Sequence, residues 1–220
     1  MIPQIIIAFA TEGSTDIRFL ESVIKRTFEE LAFECIQELE IFDPIHIPKV
    51  TGSIEEKALD YARQALDTGA SVLCIHIDAD DRTDKKAFEY LISPAFEAIK
   101  KAETELCKNL VAIVPVQMTE AWMLADKELL KRQLCTNKND EELGINKKPE
   151  EFSDPKDIIE SAIRVAGNQK TQRRRRELTI GELYQPIGQQ IELNKLNNLP
   201  SYQKFKEAVR NTFNELGYLH

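Results

Sequence analysis

Two acidic stretches have the residue types and spacing for metal-dependent chemistry. "ATEGSTD", residues 10–16, follows an unbroken apolar run and sets Glu12 and Asp16 around a glycine. "HIDADD", residues 76–81, ends a second apolar run with Asp78 and Asp80. Side chains alternate along a strand, so His76, Asp78 and Asp80 fall on one face and Ile75, Ile77 and Ala79 on the other. Two carboxylates on one face repel each other and are costly to bury unpaired; a hard divalent cation with oxygen ligands resolves that repulsion. A further acid, Glu120, comes just after "LVAIVPVQM".

Most of these acids also have a plain structural explanation. Asp80, Asp81, Arg82 and Asp84 read as a solvated turn and helix cap if the strand has simply ended. Asp16 lies in a first helical turn, where an acid complements the helix dipole, and Glu120 beside Thr119 has the same excuse. Glu12 does not, because it precedes the cap that Ser14, Thr15 and Asp16 would form. Its combination with a D-x-D on a later strand favours a metal site.

Other chemistries find little support. His46, His76 and His220 make no zinc spacing, so metal chemistry should rest on carboxylates, which suit Mg2+ or Mn2+. His76 itself reads as a strand histidine satisfied within the fold, and Trp122 as core. Cys35, Cys74, Cys107 and Cys135 lie far apart without a C-x-x-C pair, which suggests reduced thiols in a cytoplasmic protein. There is no phosphate-binding G-x-x-x-x-G-K-[ST], no G-x-G-x-x-G and no G-x-S-x-G. "DADDRT" differs from the D-x-D-x-T phosphatase loop, since its threonine falls one position late and it is not on the first strand.

These acids need elements to hold them. "IIIAFA" (5–10) reads as a doubly buried strand, and Phe19, Leu20, Val23, Ile24, Phe28 and Leu31 form the apolar stripe of a helix over 15–34. "LEIFDPIHIPKV" predicts an edge strand, weakened by Pro44 and Pro48. "SIEE" (53–56) is a capping box opening a helix that Gly69 closes. "ASVLCIHIDAD" is a buried strand, followed by a helix from about Asp84 to Leu106, bent at Pro94. "LVAIVPV" (110–116) is another strand, with Thr119 capping a helix to about Leu134.

Alternating strands and helices predict an α/β domain over residues 1–135: a Rossmann-type parallel sheet flanked by helices. In such sheets ligands bind outside the carboxyl ends of the strands, where Glu12, the D-x-D and Glu120 all fall. Residues 136–153 are polar and aperiodic, a linker or lid. Residues 154–220 form a helical C-terminal appendage, opening with Asp154 as cap and Pro155 at the first helical position. Two further helices are expected near 178–191 and 201–216.

With 220 residues, 42% of them hydrophobic, the chain can bury a real core. No stretch approaches a membrane span, and no basic-then-apolar leader is visible. A net charge of -8 counts against a general nucleic-acid coating protein. It leaves room for a nuclease, whose clustered acids are neutralised by cations. Positive charge concentrates in "KTQRRRR", where Lys170, Arg173, Arg174, Arg175 and Arg176 suit a phosphate backbone through forked hydrogen bonds.

"EGSTDIRFLESVI", the D-x-D and "VPVQMTEAWMLAD" together resemble TOPRIM-like proteins: the small stand-alone, largely uncharacterised relatives of the overcoming-lysogenization-defect nucleases, often found in bacterial defence loci. The likeness spans about residues 5–126, and "LPSYQKF" also fits it. It implies a TOPRIM-like sheet, Glu12 as general acid or base, and Asp78 and Asp80 as magnesium ligands. Glu120 becomes an additional ligand, so that Glu12, Asp78, Asp80 and Glu120 share two metal positions, with Asp16 and Asp84 in support. No tyrosine stands in an obvious nucleophile context, so hydrolysis by metal-activated water is expected rather than strand passage. The expectation is a Mg2+- or Mn2+-dependent nuclease in antiviral defence, acting on DNA or RNA, with any ATPase on a separate partner chain and homo-oligomers open. A non-catalytic module docking on such an ATPase, or a phosphohydrolase of small molecules, are the rival readings.

Overall fold

The computed structural model describes residues 2–167 and 178–219. Lys170 and Arg173–Arg176 lie outside the described residues, so the expected backbone-binding run has no structural account.

The chain is α/β. Its N-terminal apolar run forms β1 (Gln4–Ile5) and β2 (Ile7–Ala10), and α1 (Asp16–Ala32) follows. The predicted second strand is split by Asp43 and Pro44 into β3 (Glu40–Ile41) and β4 (Ile45–His46). Next come α2 (Ile54–Asp67), with the expected Ser53–Glu56 capping box, and β5 (Val72–His76). β1 pairs with β3, while β4, β2, β5 and β6 (Leu110–Ile113) make a second sheet in that order, all strands parallel. β4 takes an edge of that sheet, where a proline-flanked strand is tolerated.

The helix after β5 is not a simple bent rod. α3 (Lys85–Ala87) passes through a π turn (Phe88–Ile92) into α4 (Ser93–Lys101), so it stops earlier than the expected Leu106. Pro94 has no N–H for the carbonyl one turn back, and Ser93 N–H bonds Phe88 one residue further than usual.

Parity along the strands sorts the core into two layers. Ile7, Phe9, Val72, Cys74, Val111 and Ile113 face α1; Ala8, Ala10, Leu73, Ile75 and Ala112 face α2 and α4. Each large apolar side chain buried this way contributes about 1.5–3 kcal/mol. Ile77 and Ala79 continue the second layer, as alternation predicts, which leaves His76 on the α1 side.

The helix expected from Thr119 to Leu134 is two: α5 (Thr119–Met123) and α6 (Lys127–Leu134), the latter capped by Asp126, which accepts from Leu129 N–H at 2.9 Å. The 136–153 stretch holds α7 (Asp140–Leu143) and a 3-10 turn (Pro149–Glu151), and Leu143, Ile145 and Phe152 are buried. It is packed structure, not an open linker. α8 (Pro155–Gly167), α9 (Tyr184–Gln190), α10 (Leu193–Leu196) and α11 (Pro200–Glu215) complete the described chain. Tyr184, Ile187, Tyr202, Phe205 and Phe213 join the same apolar cluster as α1, so the C-terminal helices share the core of the sheet. Trp122 is core: fully buried, it donates to Ser201 at 2.7 Å and meets Tyr202 edge-on. Among the described residues no helix is long and apolar enough to cross a membrane.

Candidate functional site

Strand order 4-2-5-6 reverses direction between β2 and β5. The chain leaves β2 through α1 toward β4, and leaves β5 through α3 and α4 toward β6. That crevice, beyond the carboxyl ends of the strands, is where open α/β sheets bind ligands. Glu12 follows one of its strands and Asp78 the other.

The Gly13 turn is built around Asp16. Gly13 N–H donates to Asp16 Oδ2 at 3.1 Å, and Thr11 Oγ1 donates to the Gly13 carbonyl at 2.9 Å. A Cβ on Gly13 would sit 2.5 Å from that same Asp16 oxygen, so the close approach requires glycine. Thr15, at the N-cap of α1, makes no side-chain cap bond. The turn is therefore not the plain Ser-Thr-Asp helix cap that the sequence suggests; Asp16 reaches back while remaining buried. Lys49 holds the turn from outside, donating to the Glu12 carbonyl at 3.0 Å.

Beyond β5 the ladder persists. Ile77, Ala79 and Asp80 donate to Ile113, Pro115 and Gln117, and Gln117 returns a bond to Asp81. Asp80 and Gln117 both adopt left-handed backbone, φ 47° and 61°. This locked end brings Thr119 onto Asp78. Thr119 N–H donates to Asp78 Oδ1 at 2.9 Å, and its hydroxyl lies 3.3 Å from the same oxygen. Thr119 is the first residue of α5, not its cap, because its side chain serves Asp78 and His76 instead.

His76 stands between the two aspartates. Nε2 is 3.2 Å from Asp78 Oδ1 and 3.0 Å from Thr119 Oγ1; Nδ1 is 4.0 Å from Asp16 Oδ2. Among the described residues, Asp16, His76 and Asp78 form the compact group whose ligand atoms all lie within 4.8 Å of one another. Glu12 and Asp80, both exposed, and Glu120, which is buried, are outside that group. Glu120 accepts a hydrogen bond from Tyr184. Asp84 is buried and paired with Lys204 at 2.5 Å, which ties it to α11.

Electrostatics follow from this packing. Burial pushes the Asp16 carboxyl above the ordinary range, and Asp78 adds to it, against the pull of His76 and the Gly13 N–H. Burial opposes the proton on His76, but Asp78, Asp16 and Glu12 together outweigh it and hold the ring above the usual histidine range. Burial and Asp78 raise Asp80. Burial likewise raises Glu120, though the Tyr184 hydroxyl works against it.

The arrangement thus joins two of the expected acids, Asp16 and Asp78. It adds His76, whose strand parity was legible but whose half-satisfied ring was not. Thr119 and Tyr184 carried no signal of a site role in sequence. The profile of a domain of unknown function (DUF4276) matches residues 11–210 of the chain. No curated protein and no solved structure matches it.

Proposed function

The chain belongs to the DUF4276 family, a domain of unknown function, and on that premise we propose that it hydrolyses phosphodiester bonds of DNA or RNA with a bound divalent cation. The proposal includes a TOPRIM-like character for the sheet and a role in bacterial antiviral defence. The observation that carries it is the meeting of acids that follow two strands at the crevice between β2 and β5: Asp16 at the start of α1 with Asp78 beyond β5, in one compact group with His76.

The donor set fits a divalent cation. Asp78 is half-buried with one oxygen already oriented by Thr119, and Asp80, two residues on in left-handed backbone, is exposed. Asp78 and Asp80 would hold the ion, with Asp16 and Glu120 in support. When bound, the cation supplies an activated water and neutralises charge building on the phosphate. Thr119 and His76 orient Asp78, and Gly13 orients Asp16. Glu12, solvent-facing on its turn, is the proton-transferring residue. An open cleft of about 740 Å3 lies beside Arg82 and Gln117, but Glu150, Glu151, Asp154 and Asp157 in its wall outnumber Arg82 and Lys147, so it does not itself attract a polyanion. Lys170 and Arg173–Arg176 would hold the substrate backbone. The ATPase expected as a possible partner would be a separate chain.

The test is cleavage of plasmid DNA and of tRNA with Mg2+ or Mn2+, comparing wild type with Asp78→Ala. Cleavage by the wild type alone supports the reading; equal cleavage by both removes Asp78 from the site. Turnover of nucleotides or sugar phosphates without turnover of polymers would move the substrate class to small phosphoesters. No turnover of any substrate, with retention of an ATPase partner, would favour a docking module.

A further inference from the structure

His76 Nδ1 is the buried side-chain polar atom that has no hydrogen-bond partner among the described residues. The residue is 2% exposed, so water does not readily supply one. Buried polar groups left unpaired are rare in folded proteins and ask for an explanation.

The other ring nitrogen is engaged. Nε2 lies within reach of Asp78 Oδ1 and Thr119 Oγ1, at 3.2 and 3.0 Å. An ionised carboxylate only accepts, so the contact with Asp78 puts a ring proton on Nε2. In the neutral ring Nδ1 then carries a lone pair. It faces Asp16 Oδ2 at 4.0 Å, so two acceptors confront each other inside the protein. A proton on Nδ1 would face the same oxygen from beyond hydrogen-bond reach.

We propose that His76 Nδ1 and Asp16 together hold one divalent ion of the manganese-to-zinc class, with imidazole nitrogen as a ligand and Asp78 fixing the ring from Nε2. Two atoms bound to one ion at about 2.1 Å lie about 3–4.2 Å apart, so the 4.0 Å gap spans an ion with little movement. The surroundings resemble those of other metal-bound histidines. The distal ring nitrogen is held by a carboxylate, which fixes the tautomer and raises ligand basicity. Asp16 is likewise pre-oriented by Gly13 N–H. Imidazole with carboxylates suits manganese, iron or zinc better than magnesium, whose preference is for oxygen alone. The inference rests on the proposed function in one respect, that a divalent cation binds at this strand end; it does not need hydrolysis.

The probe is Mn2+ alone, added to the full chain and read by electron paramagnetic resonance. Wild type is expected to bind the ion with nitrogen coupling from one imidazole in the spin-echo modulation. His76→Gln should lose that coupling and about 10–100-fold in affinity; Asp16→Asn should lose affinity and keep the coupling. The wild-type spectrum decides the matter even if His76→Gln fails to fold. Bound Mn2+ without nitrogen coupling overturns the inference and leaves the hydrolytic reading standing. No bound Mn2+ overturns both. Nitrogen coupling in a protein that cleaves no phosphodiester supports the inference and removes only the hydrolytic reading.

Discussion

The hydroxyl of Tyr184 donates to the carboxylate of Glu120, tying α9 to the first turn of α5 across 64 residues of chain. Both side chains are buried, and burial pushes both groups upward in pKa. Tyr184→Phe strands the Glu120 carboxylate without that donor. The expected loss is about 1–3 kcal/mol of stability, measured by denaturant unfolding. Because the bond favours the charged carboxylate, the loss should be largest above the folded pKa of Glu120. It should shrink as pH falls through that value.

Asp16 sets function against stability. Burial holds its folded pKa above the unfolded one. A carboxyl shifted this way lowers stability at pH above the folded value, and the cost fades as pH falls toward the unfolded value. Asp16→Asn should therefore melt higher than wild type near pH 8, with the gap closing under acid. The variant also loses one of the carboxylates that favour the His76 proton, so His76 should titrate lower. Paired thermal melts across pH, with and without Mn2+, check this: the ion should stabilise wild type more than the variant. A variant that melts lower than wild type at pH 8 would refute the argument.

Gly13→Ala separates geometry from stability. The added Cβ displaces Asp16 Oδ2, the tip of a side chain that can give way. Restricting the unfolded chain even offers about 0.4–1 kcal/mol in favour of folding. The expected outcome is a melting temperature close to wild type with about tenfold weaker Mn2+ binding. Unchanged affinity would mean that the turn does not position Asp16.

Gly188→Ala tests the seat of α9. Its Cβ would lie 2.6 Å from the Phe19 carbonyl oxygen and 2.8 Å from the Phe19 Cα, which are backbone atoms that cannot swing aside. Helix propensity alone would favour alanine by about 1 kcal/mol, so the sign of the change is diagnostic. A net loss of about 1–3 kcal/mol is expected, with the Tyr184–Glu120 contact disturbed along with it. A stabilised variant would show that α1 and α9 pack less closely than described.

The sheet, its order of elements and the face shared by His76 and Asp78 were legible, because apolar runs and strand alternation are local signals. Asp16 was legible as a helix-dipole acid and, through the family resemblance, as a support to a metal; its reach back to Gly13 is a property of the folded turn. Thr119 precedes a helical pattern and so reads as a cap, yet the end of β6 delivers it to Asp78 from 41 residues away. Tyr184 sits in an unremarkable helix, and nothing near it in sequence points to Glu120. The 136–153 stretch looks open because Leu143, Ile145 and Phe152 are spaced singly among polar residues; their burial depends on partners far along the chain. Pro94 marked an irregular helix but not its π turn, which depends on how the neighbouring carbonyls find other donors.

The apolar stripe of α1 is covered in part by α9 and α11, which places the order of synthesis at odds with the order of packing. A ribosome releases Phe19, Phe28 and Leu31 long before Tyr184, Tyr202 and Phe213 exist to shield them. The aspartate on that same helix waits as long for the final setting of its surroundings. The apolar stripe of α1 thus stays exposed on a growing chain until α9 and α11 have emerged.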